Sequence, residues 1–334
     1  MRAVRGRLRE SIGRHPVTWF FGMVFAISWP AMATASILDI PYGAGIAAYT
    51  PALVGMWLSA KIDRSREPAQ PWRRWTLAAG LVVSSVALQW LDREWWGHEH
   101  APAWISFGLA LAVISALVLT GPLSGSRGVR AQFGLPAARR VHPAWMAVAL
   151  GLPPALFLLS NVIAAWSGAA VSPTPTIPQQ PRAWLLLETF LWMLLWSGPL
   201  NEEPGWRGFA QRHLQRQYSP LAAGLLIGAV WGVWHLPQHI LGDYPGGVWG
   251  VAIRVKEIAG GVILAWLYNR GGGSLLLPVL FHAANNTASL FLPRSYVLFV
   301  ALYFAVAGVV AVIDRMWRRL PEAAIVPPVA QGPP

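Results

Sequence analysis

Apolar residues run along this chain in long blocks. They neither alternate nor recur on a single helical face. A bilayer-crossing helix needs about 20 mostly apolar residues. Ten stretches meet or approach that requirement: 17–38, 42–60, 75–91, 103–123, 144–166, 183–203, 220–241, 250–269, 273–292 and 296–314. The eighth is the weakest, because Arg254, Lys256 and Glu257 lie near its start; it is expected to be short or partly interfacial. Only helices or a closed barrel satisfy every backbone group in lipid, and these runs are too long and too uniformly apolar for barrel strands. The pattern predicts an all-α fold, a polytopic transmembrane helical bundle of about ten spans (eight to ten).

The polar segments between the blocks orient the bundle. Arginines collect in short tracts: Arg2 to Arg14, Arg73/Arg74, Arg139/Arg140 and Arg318/Arg319. A cytoplasmic N-terminus places 61–74, 124–143, 204–219 and the C-terminus on the inside, where most arginines then lie. The opposite loops are 92–102, with Asp92, Glu94, His98, Glu99 and His100, and the Pro-rich 167–182. Trp90, Trp95, Trp96 and Trp104 mark one boundary as an aromatic belt would. Both termini of this multi-pass cell-membrane protein are therefore expected in the cytoplasm.

Composition agrees. Of 334 residues, 55% are hydrophobic and 12% charged, against about 25% charged in an ordinary soluble domain. Mean hydropathy is +0.44. The net charge of +12 is spread over interhelical tracts rather than gathered on one face, which argues against a nucleic-acid partner. Absence of cysteine excludes disulfides, thiolate metal sites and a cysteine nucleophile. The basic start, the apolar run from Val17 and Ala33-Thr34-Ala35 could read as a cleaved signal. The run is long and a second follows at once, so a retained first span is expected.

Ionisable groups inside spans are costly and usually mark function. The first cluster is Asn201-Glu202-Glu203-Pro204-Gly205-Trp206-Arg207-Gly208-Phe209. Glu203 and Arg207 are one helical turn apart and can pair; Glu202 points about 100° away and is available for other work. A surface ion pair at a helix end would look the same. The second is His235, in Trp231-Gly232-Val233-Trp234-His235, roughly 20 Å along a helix starting near Pro220. Gly224, Gly228 and Gly232 form a small-residue stripe suited to close helix approach. The third is Phe281-His282-Ala283-Ala284-Asn285-Asn286. His282 and Asn286 share a face and could serve a metal or a developing oxyanion, or simply bond between helices. Asn285 reads as a packing or solvation residue, His239 as interfacial, and Glu188 as near the outer interface. Catalytic-type groups reach one depth on three helices if the sixth continues past Pro204 towards Arg212.

With those residues in place, the chain resembles the CAAX prenyl endopeptidase type II and bacteriocin-processing (CPBP, or Abi) family. The resemblance rests on Glu202-Glu203-x-x-x-Arg207, on an aromatic residue, Trp231, four before His235, and on His282-x-x-x-Asn286. Arg207-Gly208-Phe209, Trp234-His235-Leu236-Pro237 and Gly273 to Pro278 add to it; Trp231 departs conservatively from the family's frequent Phe. It covers about residues 183–292. The resemblance implies variable N-terminal spans (17–166) and a catalytic core (183–292), while composition and the span pattern predict a basic cytoplasmic N-terminus (1–16), a last span (293–314) and a disordered, Pro/Ala-rich cytoplasmic tail (315–334). It implies an intramembrane endopeptidase acting on a peptide or membrane protein. Glu202 would activate water, Glu203 orient the site with Arg207 holding it, His235 complete the water or metal site, and His282 and Asn286 bind metal or stabilise the oxyanion.

Two routes stay open at this point. Glu202, His235 and His282 could hold Zn²⁺, three N/O ligands leaving room for a water; or Glu202 alone is the base, with His282 and Asn286 as oxyanion donors. No His-Glu-x-x-His, Gly-x-Ser-Gly or Gly-x-Gly-Asp sequence marks another intramembrane protease class. A transporter would be expected to show a repeat, and none is visible. A non-catalytic immunity or scaffold protein is the alternative function. Membrane lipid is an expected partner.

Overall fold

The computed structural model describes residues 2–38, 47–66, 70–92, 102–138, 140–172, 183–241 and 247–321. The described residues are almost wholly helical. They fall into two compact units, one of Met1–Phe133 with Leu195–Phe209, the other of Gly134–Leu194 with Ala210–Pro334. The acidic and histidine-bearing loop after Asp92, the start of the second expected span and the tail after Pro321 lie outside the described residues, as do the side chains of Trp90 and Trp104.

The first unit opens with α1 (Arg2–Arg14), a helix formed by the basic leader, followed by α2 (Pro16–Ile37), α3 (Thr50–Ile62), α4 (Pro71–Asp92), α5 (Pro102–Leu119) and α6 (Arg127–Phe133). Its last segment is α7 (Pro199–Gly205), which runs on through a π-helical stretch, Trp206–Gln211. Helix α3 packs on α2, α6 and α7. The core is aromatic: Phe20 of α2 stands edge-on to Trp206 at 5.5 Å and near Phe209 at 5.3 Å, measured between ring centroids.

The second unit holds α8 (Pro143–Ser167), α9 (Ala183–Leu195), α10 (Pro220–Trp234), α11 (Leu236–Ile240), α12 (Gly247–Arg270), α13 (Leu276–Phe291) and α14 (Tyr296–Ile313). Helix α12 packs on α10 and α14, and α8 on α13 and α14. The expected glycine stripe forms the α10–α12 contact. A Cβ on Gly228 would stand 2.5 Å from the Glu257 carbonyl oxygen, and one on Gly261 would stand 2.4 Å from that of Gly224. Helices come this close only where side chains are absent, as in small-residue membrane interfaces.

Among the described residues, four helical segments are long and apolar enough to cross a membrane: Pro16–Ile37, Pro143–Ser167, Pro220–Ile240 and Tyr296–Ile313. The chain is a polytopic helical membrane protein. Three expected spans change character. The stretch 183–203 is not one helix: Gly198 adopts φ 111, open to glycine but strained for other residues, and Pro199 starts a new helix. The span at 220–241 breaks at His235, because Pro237 has no N–H to continue the ladder and suits the first turn of a new helix. The weakest candidate, 250–269, is a continuous helix of 24 residues. It is not shortened by its charges, because Lys256 and Glu257 turn inward and are buried at 6% and 5% exposure.

Gly228→Ala forces a methyl group onto a neighbouring backbone oxygen, so it should destabilise the detergent-solubilised protein by about 1–3 kcal/mol. Gly151→Ala, whose Cβ meets nothing within 4 Å, should leave thermal unfolding unchanged. Equal melting curves for the two variants would refute the close α10–α12 contact.

Candidate functional site

The glutamate motif sits in the first unit. Pro199 and Pro204 bracket α7, and Asn201, Glu202 and Glu203 on it are all buried. Glu202 donates its backbone N–H to the Gly198 carbonyl at 2.7 Å, and Asn201 donates from Nδ2 to the Trp196 carbonyl at 3.2 Å. The expected Glu203–Arg207 pair is present. Arg207 Nη1 lies 3.2 and 3.1 Å from the two carboxylate oxygens, with both side chains at 0% exposure. It is not the surface pair that the sequence also allowed. Burial makes the pair mutually dependent, since either ion alone would be uncompensated in a low-dielectric interior.

Glycines and a glutamine hold this turn. A Cβ on Gly205 would sit 2.3 Å from the Pro51 backbone, and one on Gly208 would sit 2.2 Å from the Gln132 carbonyl oxygen. Gln132 donates to the Pro204 carbonyl at 2.8 Å and accepts from Ser59 Oγ at 3.1 Å. Residues 206–211 are π-helical, which shifts the backbone ladder by one residue. A side-chain donor for a carbonyl at that point follows. Gln132 lies some 70 positions away in sequence, and nothing local marks it.

The histidines belong to the second unit and meet around one ring. Trp231 lies 5.6 Å from His235 and 5.2 Å from His282, centroid to centroid and edge-on to both. His235, half-buried at the break in its helix, donates from Nδ1 to the Trp231 carbonyl at 2.8 Å. That bond fixes the tautomer and leaves Nε2 as the basic nitrogen. His282 is buried, and Asn286 follows it by one turn on α13. Asn285 is not merely packing. It accepts from Tyr303 Oη at 2.7 Å and donates to Asn286 Oδ1 at 3.2 Å, so a phenol on α14 orients the α13 amides. A small pocket of about 10 Å³, room for about one water, lies beside His282, with Trp231, Lys256, Glu257, Asn285 and Tyr303 in its wall. The sequence reading treated Lys256 and Glu257 only as a flaw in a span.

Among the described residues, no three His, Asp or Glu side chains gather as a metal-holding group.

Residues 180–288 match the family model described as Type II CAAX prenyl endopeptidase Rce1-like. Through this segment the chain is similar to the Rce1-like type II CAAX prenyl endopeptidase family. The matched stretch contains Glu202, Glu203, Arg207, His235, His282 and Asn286. The chain is also similar to CAAX prenyl protease 2 of Methanococcus maripaludis, at 30% identity over 92 residues. That similarity takes in 25% of this chain and 34% of the relative, so the chain spans about a third of the relative's length. The matched segment thus includes α9, α7, α10, α11 and α12 entire and most of α13.

Within this Rce1-like segment the buried ion pair gives a stability test. Arg207→Met strands the Glu203 carboxylate and should cost about 3–5 kcal/mol. Glu203→Gln combined with Arg207→Met should recover much of that loss in thermal unfolding. Strictly additive losses would show that the two side chains do not depend on each other.

Proposed function

We propose that this protein is an intramembrane endopeptidase that hydrolyses a peptide bond with Glu202 as general base. The observation that carries the reading is the matched segment 180–288, which includes all six polar side chains singled out in the sequence. Burial of Glu202 and commitment of Glu203 to Arg207 support the division of labour. In the proposed reaction Glu202 takes a proton from water, and the resulting hydroxide attacks the scissile carbonyl. His282 and Asn286 donate to the oxyanion, whose stabilisation is the largest single contribution in most acyl transfers. His235 orients the water through Nε2. The C–N bond then breaks as Glu202 returns its proton to the leaving amine. The Asn285–Tyr303 bond supports the role of Asn286, since an amide whose oxygen already accepts turns its N–H₂ outward.

The proposal extends to architecture. About ten spans cross the cell membrane with both termini in the cytoplasm; residues 17–166 form the accessory spans, 183–292 the catalytic core and 293–314 the last span. The substrate is a peptide or membrane protein, of CAAX type or a processed peptide such as a bacteriocin.

The test compares protein termini by quantitative proteomics in a deletion strain carrying wild type or Glu202→Gln at matched levels. New termini should appear with wild type and fall by about 10²–10⁴-fold with the variant, the usual contribution of a general base. Identical termini, with full rescue of any deletion phenotype by Glu202→Gln, would leave the protein a scaffold or immunity factor.

A further inference from the structure

Folding of the first unit gathers basic residues that the sequence keeps apart. Arg66 and Ser126 form an antiparallel bridge, and Arg127 donates its backbone N–H to the Ser65 carbonyl at 3.1 Å. The turn before α6 is thereby docked on the connection that leaves α3. It also lies against the end of α3 itself, since a Cβ on Gly128 would stand 2.4 Å from the Ser59 carbonyl oxygen. These contacts bring Lys61, Arg64, Arg66 and Arg127 to one end of the unit. Helix α1, with Arg7, Arg9 and Arg14 exposed, packs on α3 as well.

This end has few anions of its own. Residues 61–74 and 124–130 carry seven cations and two acids, Asp63 and Glu67. Asp63 already accepts from the Ser65 backbone N–H at 2.9 Å. Lys61, Arg64 and Arg66 are exposed and Arg127 is half-buried. Among the described residues, no carboxylate lies within ion-pair distance of any of these four. Like charges held together repel, and a bound anion relieves that repulsion.

The flanking tryptophans point to the kind of anion. Trp57, Trp72 and Trp75 are exposed at 42%, 63% and 58%. Each stands beside a cation: Lys61 Nζ lies 5.4 Å from the Trp57 ring centroid, Arg73 Cζ 5.2 Å from that of Trp72, and Arg74 Cζ 5.6 Å from that of Trp75. An indole has an apolar body and one N–H, and it settles at the headgroup level of a bilayer. The expected spans 42–60 and 75–91 end and begin here, which puts the cluster at the depth of lipid phosphates.

We propose that Lys61, Arg64, Arg66 and Arg127 form a binding site for the phosphate of an anionic phospholipid, with Trp57, Trp72 and Trp75 seated among the neighbouring headgroups. The guanidinium groups donate to the phosphate oxygens, a pairing their planar fork suits. The site lies outside the matched segment and does not depend on the peptidase reading.

The test follows thermal unfolding of the full-length, detergent-solubilised protein while phosphatidylglycerol is titrated into the micelles. A ligand that binds only the folded state raises the midpoint. Phosphatidylglycerol should raise it, whereas equal amounts of phosphatidylcholine or of inorganic phosphate should not. One basic side chain at a membrane surface contributes about fivefold in lipid affinity. Arg64→Gln should therefore need about fivefold more phosphatidylglycerol for half the effect, and Arg64→Gln/Arg66→Gln/Arg127→Gln about a hundredfold more. Replacing the same three by Lys keeps the charge and should retain most of the effect. Arg315→Gln/Arg318→Gln/Arg319→Gln removes equal charge from exposed positions of the second unit and should leave the titration unchanged. A midpoint indifferent to phosphatidylglycerol, or a rise that inorganic phosphate reproduces, overturns the site. So does an equal loss in the two Gln triple variants, which would mean attraction by net charge alone. If the first triple variant does not fold, an Arg64→Gln titration that matches wild type overturns it equally.

Discussion

The second unit depends on how closely α10 and α12 approach. Gly224 and Gly228 on one helix and Gly261 on the other allow backbone to meet backbone. In lipid there is no hydrophobic force to drive such an approach, so van der Waals contact between bare helix faces is what holds it. The contact has chemical consequences. The backbone that Gly228 and Gly232 touch is that of Arg254 to Ile258. Within this stretch the side chains of Lys256 and Glu257 are buried next to Trp231 on the opposing helix. A small-residue stripe thus determines where buried charge can stand.

Both units handle polar groups by local pairing. In the first, Glu203 and Arg207 neutralise each other, and Gln132 caps the carbonyl at the start of the π-helical stretch. In the second, His235 bonds to the carbonyl one turn before it, and Tyr303 bonds through Asn285 to Asn286. Such bonds limit rotamers, which a catalytic group needs if it is to meet its substrate without rearrangement. The Arg254–Lys256–Glu257 group differs in that its charges do not balance internally.

The helix breaks add positional control. Gly198 with Pro199, and His235 with Pro237, interrupt apolar stretches that composition alone would draw as single spans. Each break lies within four residues of an ionisable side chain of the matched segment, Glu202 in one case and His235 in the other. Interrupting a helix in a membrane frees backbone groups and turns side chains away from a uniform lipid-facing spiral, and polar neighbours then satisfy what is freed. Asn201 on the Trp196 carbonyl is one instance.

The all-α membrane class, the glycine stripe, the Glu203–Arg207 pair and the aromatic partner of His235 were legible in the sequence, because each depends on composition or on spacing within one helix. Helical periodicity alone puts residues four apart on one face. The same reasoning failed at 183–203, where a positive φ at one glycine outweighs the hydropathy of its neighbours. At 250–269 the helix is continuous over 24 residues, yet it is not among the segments long and apolar enough to cross a membrane, so its charges do set it apart. Whether a charged residue on a helix faces lipid, water or protein depends on what packs against it, and that information lies in other segments of the chain. Gln132 meeting Pro204, Tyr303 meeting Asn285, and Trp231 meeting His282 are contacts between separate helices. Only tertiary packing creates them, because no local propensity brings a residue to a partner tens of positions away.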